Sequence, residues 1–142
     1  MYSMIKKFKI KNIKTENKPG ILCPLKIDEI NKELGINFSI NNLFYITDLN
    51  SLESRGKHAN TNTTEILICI KGSFDLKCFD GTNTVTHTLK EHDSVYIPEM
   101  IWLDFNNFKD CIILVLTSIA PIIKKDSIYD INEFKNITKT KY

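Results

Sequence analysis

Residues 65–81, EILICIKGSFDLKCFDG, decide the fold. Glu65 to Lys71 is an almost continuous apolar run rich in Ile, the composition of a strand buried on both faces. Gly72-Ser73 reads as a turn, after which Phe74, Leu76 and Cys78 alternate with Asp75 and Lys77, as a half-buried strand requires. Asp80-Gly81 is a strong hairpin signal. Downstream, residues 82–89 (TNTVTHTL) are β-branched at nearly every other position, and Lys90 to Asp93 make another turn. Residues 94–98 (SVYIP), 101–105 (IWLDF) and 111–118 (CIILVLTS) read as three further strands, split by Pro98-Glu99 and Asn106-Asn107. Turn signals at about every 8–12 residues argue for an all-β sandwich or barrel.

Upstream, residues 4–13 alternate imperfectly as an edge strand and end in a polar turn through Lys18-Pro19-Gly20. Residues 27–34 (IDEINKEL) put Ile27, Ile30 and Leu34 on one helical face, with Gly35 placed to cap the end. Residues 38–49 (FSINNLFYITDL) return to strand character. In the tail, Ile128, Ile131 and Phe134 recur at a spacing of three, which fits a final helical turn or two. There is no internal repeat and no linker, so residues 1–142 read as a single domain.

Composition narrows the function classes. The chain is 42% hydrophobic and 25% charged, which suits a packed core and excludes disorder. Nineteen basic against 17 acidic residues give a net charge of +2, too balanced for a nucleic-acid footprint. The four Cys form no CxxC pair, and Cys69, Cys78 and Cys111 lie in apolar runs, so they read as buried thiols of a reducing compartment. No signal peptide or membrane span is legible, and the cytoplasm is the expected location. Against eighteen Lys, the single guanidinium at Arg55 stands out. Its planar donor fork serves either an ion pair with a nearby carboxylate or an anion site.

The string His58-Ala59-Asn60, then Glu65, then Gly72 resembles the first cupin motif, and Pro98 and Asn107 fall where the second motif has its Pro and Asn. The fold this implies is a cupin double-stranded β-helix jelly roll with short peripheral helices. Of the positions that carry metal ligands in cupins, only His58 and Glu65 are kept; Asn60 is a poor transition-metal ligand and Leu103 is none. No metal and no other cofactor is expected. His87 and His92, on a polar strand and a turn, read as surface residues.

With the flanks included, a narrower resemblance emerges. Phe44-Tyr45-Ile46, Arg55-Gly56-Lys57-His58-Ala59, Glu65-Ile66-Leu67, Gly72-Ser73, Asp80-Gly81, Ile97-Pro98, Trp102 and Asn132-Glu133-Phe134 are together similar to the WxcM-like cupins that act as nucleotide-sugar 3,4-ketoisomerases. The similarity covers about residues 38–134. It implies isomerisation of a dTDP-linked 4-keto-6-deoxy sugar for surface polysaccharide, without a metal, by a homodimer. It also implies His58 as the acid/base, and Tyr45 as a hydrogen-bond donor to the carbonyl or a proton relay. Substrate contacts are implied for Arg55, Asn60, Glu65 and Trp102, the last either lining the pocket or packing in the core beside Pro98. The chain departs from the family pattern at Asn60 (usually His), Thr61 (usually Lys), Glu65 (usually Gln), Leu103 (usually His or Arg) and Asn42 (usually basic). Two other readings stand beside this one. One is a cupin that binds a nucleotide-sugar or a protein partner without turnover; the other is a different sugar isomerase or epimerase on the same scaffold.

Overall fold

A computed structural model describes residues 4–118 and 126–139. The chain forms β1 (Lys6–Lys9), α1 (Ile27–Leu34), β2 (Asn42–Leu49), β3 (Arg55–Asn60), β4 (Glu65–Phe79), β5 (Thr84–Lys90), β6 (Asp93–Ile97), β7 (Trp102–Thr117), β8 (Ser127–Ile128) and α2 (Ile131–Lys139). All strand pairs are antiparallel. The architecture is the expected all-β jelly roll with two short helices.

Strands β4 and β7 are long enough to belong to two leaves at once. Their outer halves, around residues 65–69 and 111–117, sit in the order β1-β6-β4-β7-β2. Their other halves, around residues 73–79 and 102–106, sit in the order β5-β4-β7-β3-β8. Between the leaves lies the main core, with Leu67, Cys69, Ile113 and Val115 from one side and Phe74, Leu76, Cys78, Leu103 and Phe105 from the other. The outer face of the first leaf carries Ile66, Ile68 and Leu116, covered by Phe8, Phe38 and the Ile30 and Leu34 face of α1. The outer face of the second carries Ala59 and Trp102, covered by Phe134 of α2. Because side chains alternate along a strand, each β4 and β7 residue is committed to one of these faces by parity alone.

Two expected breaks are bends inside continuous strands. Gly72-Ser73 does not reverse the chain, and Asn106-Asn107 does not split β7. The β4–β7 register slips between Cys69 and Asp75, and left-handed backbone occurs at Gly72 (φ 72°), Asn107 (φ 54°) and Asp110 (φ 44°). Extra residues bulge out of the ladder here, which turns each strand from one leaf into the other without ending it. At Gly72 a Cβ would lie 2.1 Å from the Lys109 carbonyl oxygen, so no other residue fits.

The helices follow their local signals. Gly35 ends α1 in the left-handed conformation (φ 65°), and the Ile36 N–H returns to the Asn31 carbonyl at 3.0 Å. Asp130 caps α2 by accepting from the Asn132 N–H at 2.8 Å. The strand expected from Phe38 begins only at Asn42. The Asn31 side chain binds both the N–H and the carbonyl of Phe38 at 2.9 Å, which takes that backbone out of any ladder. Cys69, Cys78 and Cys111 are buried free thiols, and burial pushes Cys69 and Cys78 up to about 12. No helix among the described residues is long and apolar enough to cross a membrane.

Gly72→Ala should lower unfolding stability in urea by about 2–4 kcal/mol, through both a left-handed φ and a clash with rigid backbone. Gly20→Ala is the control. It shares the left-handed φ (85°) but has nothing within 4 Å, and it should cost only about 1 kcal/mol.

Candidate active site

Strand β3 pairs with the leaf-two half of β7: Arg55 faces Phe105, Gly56 faces Asp104, and His58 faces Leu103, with a register shift between Gly56 and His58. Lys57 is therefore the extra residue of a β-bulge, and its φ of 52° is the left-handed conformation such a bulge takes. In a regular strand residues 55 and 58, three apart, would point to opposite faces. The bulge restores parity. Arg55 and His58 both lie on the inner face, opposite the core residues Phe105 and Leu103. Gly56 is required by the same geometry: its φ is 93°, and a Cβ there would lie 2.7 Å from the Phe105 ring. The guanidinium is exposed and makes no ion pair with any described acidic residue, so the simple ion-pair reading of Arg55 does not hold among them.

Two residues beyond His58 on the same face, Asn60 spans the gap to β4. Its Nδ2 donates to Glu65 Oε1, and its Oδ1 accepts from Ser127 Oγ at 3.2 Å. Glu65 shares inward parity with Leu67 and Cys69, lies opposite Ile97 and Thr117, and is 8% exposed. Burial pushes its carboxyl up from 4.5 to about 7; the Asn60 hydrogen bond opposes this and the nearby Asp126 charge adds to it. The wall beyond Asn60 is β8, paired as Ala59 with Ile128 and Asn60 with Ser127. Buried Asp126 ties this wall to the 61–63 turn. Its carboxylate accepts from the Asn62 N–H at 2.6 Å, from Thr61 Oγ1 at 3.2 Å and from Thr63 Oγ1, and its carbonyl accepts from the Thr61 N–H at 2.6 Å. Tyr129, next along, sets its ring 5.7 Å from the half-buried His58 ring at 37°.

The site thus gathers Arg55, His58, Asn60 and Glu65, and adds Asp126, Ser127 and Tyr129, which the sequence reading did not single out. It does not gather Tyr45 or Trp102. Tyr45 faces Leu114 in the β2–β7 register, whereas its neighbours Phe44 and Ile46 face the inward residues Val115 and Ile113. Parity sends Tyr45 to the outer surface, where it is 69% exposed. Trp102 precedes inward Leu103 by one residue, so it too points outward and packs on Phe134 with ring centroids 5.9 Å apart. His87 and His92 are half-buried rather than solvated, and His92 Nδ1 lies 3.7 Å from Cys23 Sγ. Among the described residues no three His, Cys, Asp or Glu side chains are grouped to hold a metal ion.

A family model described as WxcM-like, C-terminal matches residues 6–139. The chain belongs to this family. Within reach of this WxcM-like chain is a TDP-4-oxo-6-deoxy-alpha-D-glucose-3,4-oxoisomerase from Aneurinibacillus thermoaerophilus, 32% identical over 92 residues, which are 63% of this chain and 66% of that protein. The structure of WlaRA, a TDP-fucose-3,4-ketoisomerase from Campylobacter jejuni, superposes with a TM-score of 0.78 at 34% identity, covering 94% of this chain and 95% of that one. QdtA, a sugar 3,4-ketoisomerase from Thermoanaerobacterium thermosaccharolyticum in complex with TDP, superposes at 0.84 with 25% identity, covering 100% and 99%.

The raised Glu65 carboxyl has a stability signature. A carboxyl that holds its proton more tightly folded than unfolded stabilises the fold only while it stays protonated, so stability falls as pH rises from about 4.5 to 7. Glu65→Gln removes that loss. Its gain over the parent should be near zero at the acid end of the window and up to about 3 kcal/mol above it, read from urea unfolding at several pH values.

Proposed function

We propose that this chain is a 3,4-ketoisomerase of a TDP-linked 4-keto-6-deoxy sugar, serving deoxysugar biosynthesis for surface polysaccharide as a cytoplasmic homodimer. The observation that carries the reading is the β-bulge at Lys57, which sets one imidazole and one guanidinium, without an ion pair among the described residues, on the same inner face. The likeness to 3,4-ketoisomerases over nearly the full chain supports the substrate class. Among the described residues no strand pairs with the outer edges of β1 and β2, and Leu43 and Tyr45 are exposed beside the latter, which supports self-association.

Moving a carbonyl from C4 to C3 requires one carbon-bound proton to leave C3 and one to arrive at C4. Neutral His58 takes the C3 proton, the C–H pair becomes the C3=C4 bond, and the C4 carbonyl electrons move to O4, which takes a proton from solvent. O3 then gives its proton to solvent and re-forms a carbonyl at C3, while the C3=C4 pair takes up at C4 the proton that the imidazolium returns. A single imidazole serves both carbon centres because it is a base in one half and an acid in the other. Arg55 supplies a two-pronged charged contact for the diphosphate. Leu103, directly across from His58 on β7, puts an apolar residue beside it on the same face.

The direct test is incubation with TDP-4-keto-6-deoxyglucose in deuterated water, followed by NMR. Deuterium should appear at C3 of recovered substrate and at C4 of product. His58→Asn should slow this by about 100-fold or more while thermal stabilisation by TDP persists. Arg55→Lys should instead weaken TDP binding by roughly tenfold, because an ammonium cannot copy the fork. No exchange by the parent protein, together with no TDP-induced melting shift, would overturn the reading.

A further inference from the structure

The Asn60 side chain is suspended between two partners of different chemistry. An ionised carboxylate can only accept hydrogen bonds, whereas a hydroxyl both donates and accepts. With Glu65 ionised, the amide has one stable orientation, Nδ2 toward Glu65 and Oδ1 toward Ser127, as observed. A protonated Glu65 carries an O–H that can serve the amide oxygen equally well, with the Ser127 hydroxyl accepting from Nδ2. The amide is then free to turn over. In the observed orientation the second N–H of Nδ2 makes no hydrogen bond among the described residues, and Asn60 shares its strand face with His58 two residues away.

We propose that Glu65 is a positioning residue that acts through Asn60: its ionised form fixes the amide so that the remaining N–H donates to the sugar oxygen that gains charge when His58 takes the C3 proton. The claim rests on the ketoisomerase reading and deepens it by naming the donor for the enediolate. The groups around Glu65 leave it free to switch. Asn60 hydrogen-bonds it from β3, the Asp126 charge lies near it in the wall that includes β8, and Ile97 of β6 and Thr117 of β7 lie across from it in register; among the described residues no Lys or Arg forms an ion pair with it. Burial and the Asp126 charge hold its ionisation near neutrality, so both amide states are populated in the working range.

The test uses the full chain labelled with 15N, with the Asn60 side-chain resonances assigned by their loss in Asn60→Ala. In the parent protein these resonances should move with a midpoint near 7, and in Glu65→Gln they should not titrate. Isomerisation by the parent should rise through the same midpoint. Glu65→Gln keeps an acceptor for Nδ2 but cannot enforce the orientation; it should lose that limb and run roughly 10- to 100-fold slower in kcat, with the TDP melting shift unchanged. Asn60 resonances that stay still in the parent, or titrate alike in both proteins, overturn the proposal whether or not the protein turns over. Resonances that titrate as expected in a protein that moves no carbonyl overturn the ketoisomerase reading and the donor role together.

Discussion

The pairing of β4 with β7 is the constraint on which everything else hangs. Each strand is shared by two leaves, so their ladder is at once the spine of the sheet and the hinge along which it folds over itself. A conventional turn at the fold line would uncouple the leaves; a clean, unbulged ladder would leave the sheet flat. Bulges with left-handed residues on both strands, locked by the fit of Gly72 against the Lys109 and Asp110 carbonyls, give a bend that keeps the strands continuous. Side-chain parity then runs unbroken from the bend to the strand ends and decides which residues meet inside.

Periodicity found most of the elements, though not β3 or β8, because burial is what sets it. The Ile-rich run at 65–71 is inward on one face and covered by α1 on the other, and the 74–78 alternation sets core residues against the less buried Asp75 and Lys77. What periodicity cannot show is whether a Gly-Ser or Asn-Asn pair ends a strand or bends it, since both uses need the same permissive residues. The late start of β2 was hidden for another reason. It is set by Asn31, a side chain seven residues away in sequence and on a helix.

The site was legible in its chemistry and not in its geometry. Arg55 and His58 stand out by residue type, but their odd spacing places them on one face only because Lys57 bulges, a fact that no count of residues contains. The same parity rule explains why Tyr45 and Trp102, chemically plausible partners, face away: each is one residue from a neighbour that points in. Asp126, Ser127 and Tyr129 were invisible because a strand of two residues has no period to read, and its place is fixed by a carboxylate contacting a turn some sixty positions earlier.

That last attachment bears on how such a scaffold changes its substrate. The second wall of the site is fastened to the barrel by polar contacts from one aspartate and a minimal ladder, with Ile128 as its main anchor in the apolar interior. Its inward positions, Ser127 and Tyr129, are therefore nearly uncoupled from the packing that keeps the leaves together. Selection can reshape this side of the site for a different sugar while the spine stays as it is, which makes the short β8 segment the natural place to redesign specificity.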